Sequence, residues 1–303
     1  GAAVAALEGA AAQALGPGQE QGRGERASGV LRPHPGRVGK GPCQGEVFAA
    51  ASEVLGARIG RSLMIPKTPP AETPPGVDVI PGGHPIPTAA SLAAGQAALD
   101  LVRSLTKEDV LLCLISGGGS ALMSLPKPPL RLSELQVLTD LLLKCGANIQ
   151  EINCLRRQLD QLKGGGLARA AAPALVISLI LSDVIGSPLE AIASGPTAPD
   201  TTSASDALSI LECYGLLGQV PPAVIAVLQR GLESPPSPPS GFDHVHNLIL
   251  ADNARAAQAA VQRAIKANFA TAYLGSAWQG EAREVGADLC QILLSTELPR
   301  PFC

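Results

Sequence analysis

The chain has 303 residues, near the length at which one core usually splits into two domains. Its formal net charge of −3 excludes a general electrostatic nucleic-acid binder, which needs a net basic face. Hydrophobic residues at 46% exclude wholesale disorder, 2% aromatics require an aliphatic core, and 33 glycines with 27 prolines argue against a long helical bundle.

Residues 1–37 are rich in Gly, Ala, Arg and Gln and read as a disordered or non-native segment. An α/β domain over 38–303 follows. Val47, Ala50, Val54 and Ala57 recur at helical spacing and predict a helix over 46–59. Residues 62–66 read as a short strand, and the five prolines of 66–76 as a loop. A helix is expected over 89–105, with Thr88 or Ser91 as N-cap. The unbroken apolar run 110–115 has the character of a strand buried on both faces. Ser133 and Gln136 have capping-box spacing and open a helix to about Cys145, which Gly146 stops. Further helices are predicted over 148–162, 203–214, 221–232, 253–267 and 279–294. Further strands are predicted over 175–181, 246–251 and 270–274, and a linker-like loop over 234–240.

Strands alternating with helices imply a three-layer, Rossmann-like α/β fold: a mostly parallel sheet with helices on both faces. Ligands of such sheets bind at the carboxyl ends of the strands. The loops after residues 115, 181 and 251 are therefore where chemistry is expected.

No apolar run reaches the roughly 18 residues that span a bilayer, so no membrane partner is expected. Residues 1–15 lack a basic start and are interrupted by Glu8, so they do not form a signal peptide. The seven cysteines (43, 113, 145, 154, 213, 290, 303) have no metal-binding spacing and read as reduced thiols of an intracellular protein.

Three segments stand out. Ser116-Gly117-Gly118-Gly119-Ser120 directly follows a buried strand. Glycines let backbone approach a ligand, and their N–H groups can cradle phosphate oxygens. The segment is neither a Walker A loop nor GxGxxG nor a nucleophile elbow, and the plain alternative is a tight strand-to-helix turn. Arg156 and Lys163 lie seven apart, two helical turns, ahead of Gly164-Gly165-Gly166. They suit an anion, or else a solvated basic face near a glycine stop. Asp183 follows the 175–181 strand and precedes Ser194-Gly195-Pro196-Thr197. A carboxylate there can hold Mg²⁺ or accept a hydroxyl proton, or merely shape an Asx-turn. Lesser candidates are His84 in Gly83-His84-Pro85, Lys40, and Asn253 beside Asp252, where an N-cap is the alternative.

Together, Gly83 to Pro87, Leu114 to Leu122, Asn153-x-x-Arg156 with Leu162 to Ala168, Ser178 to Val184 and Ile192 to Thr197 resemble the glycerate kinase family of the MOFRL type, most closely its animal enzymes. The resemblance covers roughly 38–290 and is most specific over 110–200. It implies ATP-dependent phosphorylation of D-glycerate, giving 2-phosphoglycerate, with Mg²⁺, in serine and fructose metabolism. Carried over, Lys40 would stabilise the transferring phosphoryl group. Ser116 to Ser120, Lys163 and Asn253 would bind nucleotide phosphates. Arg156 and His84 would bind substrate, and Asp183 would be the catalytic and metal-binding carboxylate. A cytoplasmic location is implied, with a mitochondrial one left open, and a homodimer is allowed.

There are departures from the family pattern. The apolar strand leading to the lysine is missing, since residues 31–37 cannot form one, and Gly41-Pro42 replaces small residues. Asp160 stands where serine is common. The C-terminal MOFRL domain is absent, so the chain reads as part of a longer enzyme. The alternative is a catalytically inactive nucleotide-binding or regulatory fragment of the same family. A Rossmann oxidoreductase would need the GxGxxG fingerprint that is lacking.

Overall fold

The computed structural model describes residues 26–31, 52–53, 55–73, 75–233 and 241–295. Six strands form one sheet: β1 (Arg26–Leu31), β2 (Ile59–Met64), β3 (Val77–Val79), β4 (Asp109–Ser116), β5 (Leu175–Leu181) and β6 (Val245–Ala251). Their order is β3-β2-β1-β4-β5-β6, and every pairing is parallel. This is the strand order of doubly wound dinucleotide-binding folds, and the expected α/β class is what is found. The order reverses between β1 and β4, which places the topological switch point at the carboxyl ends of those two strands.

The strand periodicity explains how the sheet is buried. On β4, Leu111, Cys113 and Ile115 enter a core with Ala94, Ala98 and Val102 of helix α1 (Ala89–Arg103). The alternate residues Leu112 and Leu114 enter a second core with Ile177 and Leu179 of β5. Successive side chains point to opposite faces, so a strand covered on both sides must be apolar throughout. A short helix, α4 (Gly166–Ala171), packs beside α1.

Four helices form a separate helix-on-helix core: α2 (Leu132–Lys144), α3 (Ile149–Leu159), α5 (Ala204–Cys213) and α6 (Pro222–Glu233). Leu135, Leu138, Leu155, Leu159, Leu211 and Leu228 lie at its centre. Helices α7 (Asn253–Lys266) and α8 (Ala282–Ser295) bury no residue of their own. No helix among the described residues is long and apolar enough to cross a membrane.

Several expectations need correction. Strand β1 lies inside the 1–37 stretch that composition marks as disordered, and it supplies the strand thought to be missing ahead of Lys40. It carries no strand period of its own, but β2 and β4 pair with it on both sides, and strand preference depends on such context. The 46–59 helix lies partly outside the described residues. Gly56 takes a left-handed φ of 52°, a 3₁₀ turn covers Gly56–Arg58, and β2 begins at Ile59. Helix α2 is capped at Arg131, whose N–H donates to Glu134 Oε2 (2.8 Å), so Glu134 closes the N-terminus and not Gln136. Residues 271–274 carry no strand.

Candidate functional site

The loops that follow β4, β5 and β6 meet at the carboxyl edge of the sheet. Ser116, the last residue of β4, is buried. The turn from Gly117 through Leu122 does not open a helix, and the next one, α2, starts only at Leu132. The strand-to-helix reading is thereby corrected: an anion held here would meet loop amides and no helix end. Gly118 completes the turn at φ 73°, with Gly119 beside it.

Asp183 follows β5. A Cβ built on Gly117 would stand 1.9 Å from Asp183 Oδ1 and 2.6 Å from Oδ2. Only glycine lets the carboxylate lie against that backbone. The turn at this point is shaped by Ser182, whose Oγ accepts from Val184 N–H (3.2 Å), while Asp183 itself is exposed. Asn253, first residue of α7, donates from Nδ2 to the Asp183 carbonyl (3.0 Å). Asp252 is the helix N-cap, accepting from Arg255 N–H (2.8 Å).

Beside this edge, Arg156 lines a small pocket with Ser120, Ser124, Thr139, Asp160 and Lys163. Burial lowers the Arg156 pKa, and Asp160 pulls it back up. Helix α3 ends at Leu159 with Asp160 as C-cap, so Lys163 lies beyond the helix and shares no helical face with Arg156. The turn still delivers Lys163 to the same pocket. There its Nζ donates to Met123 O (2.7 Å) and Asp160 Oδ2 (3.0 Å), with the two side chains only 3% and 1% exposed. Asp160 also accepts from Ser124 Oγ (2.9 Å) and from the N–H groups of Leu125 (2.8 Å) and Leu162 (2.9 Å).

Ser194 joins the two parts. Its Oγ bonds Ser120 Oγ (2.9 Å) and Asn153 Oδ1 (2.9 Å). Ala193, Ser194 and Gly195 take left-handed φ values of 53°, 60° and 59° in succession. For the two non-glycines this costs about 1–3 kcal/mol each, a strain that persists only when neighbours hold it. The glycine segment holds it: Gly164 N–H donates to Ser194 O (3.0 Å), and Gly165 N–H donates to Gly195 O (2.7 Å). A Cβ on Gly165 would stand 2.3 Å from Phe242 Cζ.

His84 is exposed on a loop whose Gly82 packs against the turn after the glycine-rich loop, within 2.1 Å of Leu122 O for an added Cβ. Burial of its ring lowers the His84 pKa, and Lys67 and Arg156 lower it further. The structure thus brings together Ser116, Gly117, Gly118, Gly119, Ser120, Asp183 and Asn253 at one edge, with Arg156, Lys163 and His84 alongside. Lys40 lies outside the described residues. Sequence reasoning missed the contacts of Asp160, Ser194 and Lys67: it marked Asp160 only as a departure from the family pattern and Ser194 only as part of the turn after Asp183, and did not single out Lys67. Among the described residues no group of three or more His, Cys, Asp or Glu could hold a metal ion.

A six-stranded parallel sheet whose order reverses between β1 and β4 defines a doubly wound α/β protein. The family described as "Domain of unknown function (DUF4147)" matches residues 36–229. The rat (Rattus norvegicus) glycerate kinase is 50% identical over 200 residues, 66% of this chain and 38% of that protein. The Pyrococcus horikoshii glycerate 2-kinase is 39% identical over 229 residues, 75% of this chain and 52% of that protein. The crystal structure of the Thermotoga maritima glycerate kinase superposes with a TM-score of 0.77 at 30% identity, covering 99% of this chain and 72% of that one. The chain belongs to the glycerate kinase family, through its DUF4147 domain. It spans well under two thirds of the length of either curated relative.

Proposed function

We propose that the chain carries the nucleotide- and substrate-binding part of a kinase that transfers the γ-phosphoryl group of ATP to D-glycerate, giving 2-phosphoglycerate. The observation that carries this reading is the Asp183 carboxylate laid against Gly117 at the carboxyl edge of the sheet, beside the switch point. The names of the relatives, glycerate kinase and glycerate 2-kinase, supply the substrate and the position.

Phosphoryl transfer asks a protein mainly for positioning and for positive charge around the transferring oxygens. In this reading the amides of Ser116 to Ser120 hold the nucleotide phosphates. Asp183 fits a divalent ion that arrives with the nucleotide, since Mg²⁺ commonly takes one or two carboxylates together with substrate phosphates. That ion would neutralise charge on the phosphate oxygens. Asn253 steadies the Asp183 loop through its carbonyl. Arg156 takes the glycerate carboxylate, with neutral His84 beside it. Lys163, assigned to phosphate by resemblance, acts here by fixing Asp160 and the 123–125 backbone that shape the Arg156 pocket. Lys40, carried over by resemblance, would stabilise the transferring phosphoryl group. A cytoplasmic location and a homodimer belong to the same reading.

A second reading is nucleotide binding without turnover. Phosphorus NMR of ATP, Mg²⁺ and D-glycerate incubated with the chain separates the two. Appearance of ADP and 2-phosphoglycerate, abolished by Asp183→Asn, supports the kinase. Saturable ATP binding with no product supports the second reading, and neither product nor binding overturns both.

A further inference from the structure

Arg156 and Arg157 are consecutive on α3, so their side chains leave the helix about 100° apart. Arg156 faces the site described above. Arg157 faces away, where its Nε pairs with Asp200 Oδ1 (2.7 Å) and its other nitrogens reach Glu190 O (3.2 Å) and Thr202 Oγ1 (3.2 Å). Behind it lies a separate cleft of about 480 Å³. That volume lies within the ordinary range for small-molecule sites.

The charge in this cleft is one-sided. Lys127, Arg157, Arg169 and Arg230 line it against one carboxylate, Asp200. Asp200 is already committed: Oδ1 accepts from Arg157 and from Thr202 N–H (2.9 Å) and Oγ1 (2.7 Å), and Oδ2 accepts from Gln158 Nε2 (2.7 Å). Lys127 donates to Gln158 O (2.8 Å) and Arg169 to Gly164 O (2.9 Å). Carbonyls aim a cation without neutralising it. Burial lowers the Lys127 pKa and the nearby Arg169 lowers it again, while Asp160 and Asp200 pull it back up. Arg169 also stands 5.7 Å from the Phe242 ring centroid. Pro128 and Val227 supply an apolar wall.

We propose that this cleft is a second binding site, distinct from the sheet-edge site, that takes the phosphate group of a small organic phosphate between Lys127 and Arg169. The apolar body of the ligand lies on the wall of Pro128, Val227 and Phe242. Phosphate suits the pair because Arg offers a bidentate fork and Lys a point charge.

The test titrates the whole chain calorimetrically with phenyl phosphate and, separately, with inorganic phosphate at constant ionic strength. Phenyl phosphate is expected to bind more tightly. Arg169→Gln and Lys127→Gln should each weaken it about tenfold, the scale of one charge-assisted hydrogen bond, and Asp183→Asn should leave it unchanged. In the unaltered chain, phenyl phosphate should protect Lys127 from acetylation, read by peptide mass mapping, which keeps the test valid if a variant misfolds. Absence of binding, equal affinity for inorganic phosphate, binding lost in Asp183→Asn but kept in the cleft variants, or an unprotected Lys127 would each overturn the proposal. Failure of the kinase reading would leave every one of these expected results in place.

Discussion

The carboxylate of Asp183 fills the space that a side chain on Gly117 would need, with Cγ 2.5 Å from the Cβ position. The two residues lie just beyond the ends of adjacent parallel strands, whose last pairs are Ile115 with Ile180 and Ser116 with Leu181. Sequence distance between them is large, yet each depends on the other: a glycine at 117 is what allows a carboxylate at 183 to reach the loop.

This relationship predicts the behaviour of Gly117→Ala. The atoms that must give way belong to a short, exposed side chain, so relief by rotation is available. The loss of stability should stay below about 1 kcal/mol, at the mild end of overpacking. Binding of Mg·ATP should nevertheless be lost, because the carboxylate is displaced. Urea unfolding and calorimetry on the same variant check both halves.

Lys163→Met should behave in the opposite way. It leaves the Asp160 carboxylate buried without its cation. Breaking a buried pair on one side costs about 3–5 kcal/mol. A large fall in the urea midpoint is expected. A change below 1 kcal/mol, on the same scale, would show that Lys163 is not holding the 123–125 segment.

His84 should titrate below its ordinary value of 6.5. The sign follows from linkage: the unfolded chain binds the proton more readily, so this group's contribution is present above 6.5 and is lost as pH falls towards the folded value. Histidine C2–H shifts measured against pH test it. Lys67→Gln and Arg156→Gln should each move the midpoint upward, and a midpoint at or above 6.5 in the parent would refute the placement.

Tyr214 donates its hydroxyl to Glu151 Oε2 (2.8 Å), which pushes the phenol pKa up to about 12. A raised value keeps its contribution intact below the ordinary 10 and removes it as pH climbs to about 12. Ultraviolet titration should therefore show a phenol ionising only as pH climbs to about 12, a step absent in Tyr214→Phe.

What was legible in the sequence follows from burial. Strands β4, β5 and β6 are apolar runs, and the glycine loop, Asp183 and Asn253 stand out because each directly follows one. Strand β1, Arg-Ala-Ser-Gly-Val-Leu, has no such signature, because pairing with β2 and β4 decides its conformation. The sequence pattern of helix α3 runs on through Leu162, because Leu159 and Leu162 keep the helical period. Asp160 instead takes an extended φ of −117° and ψ of 142°, from which its carboxylate reaches Ser124 and Leu125. The Ser194 contacts with Ser120 and Asn153 join residues 74 and 41 positions apart. The cleft likewise draws cations from four separate segments. No local pattern encodes either.

The most direct measurement is a calorimetric titration of the chain with Mg·ATP, repeated on Asp183→Asn and Gly117→Ala. Saturable binding in the parent, lost in both variants, is the predicted result. Binding that both variants retain, or a parent that binds no nucleotide, would contradict the assignment of the sheet-edge site.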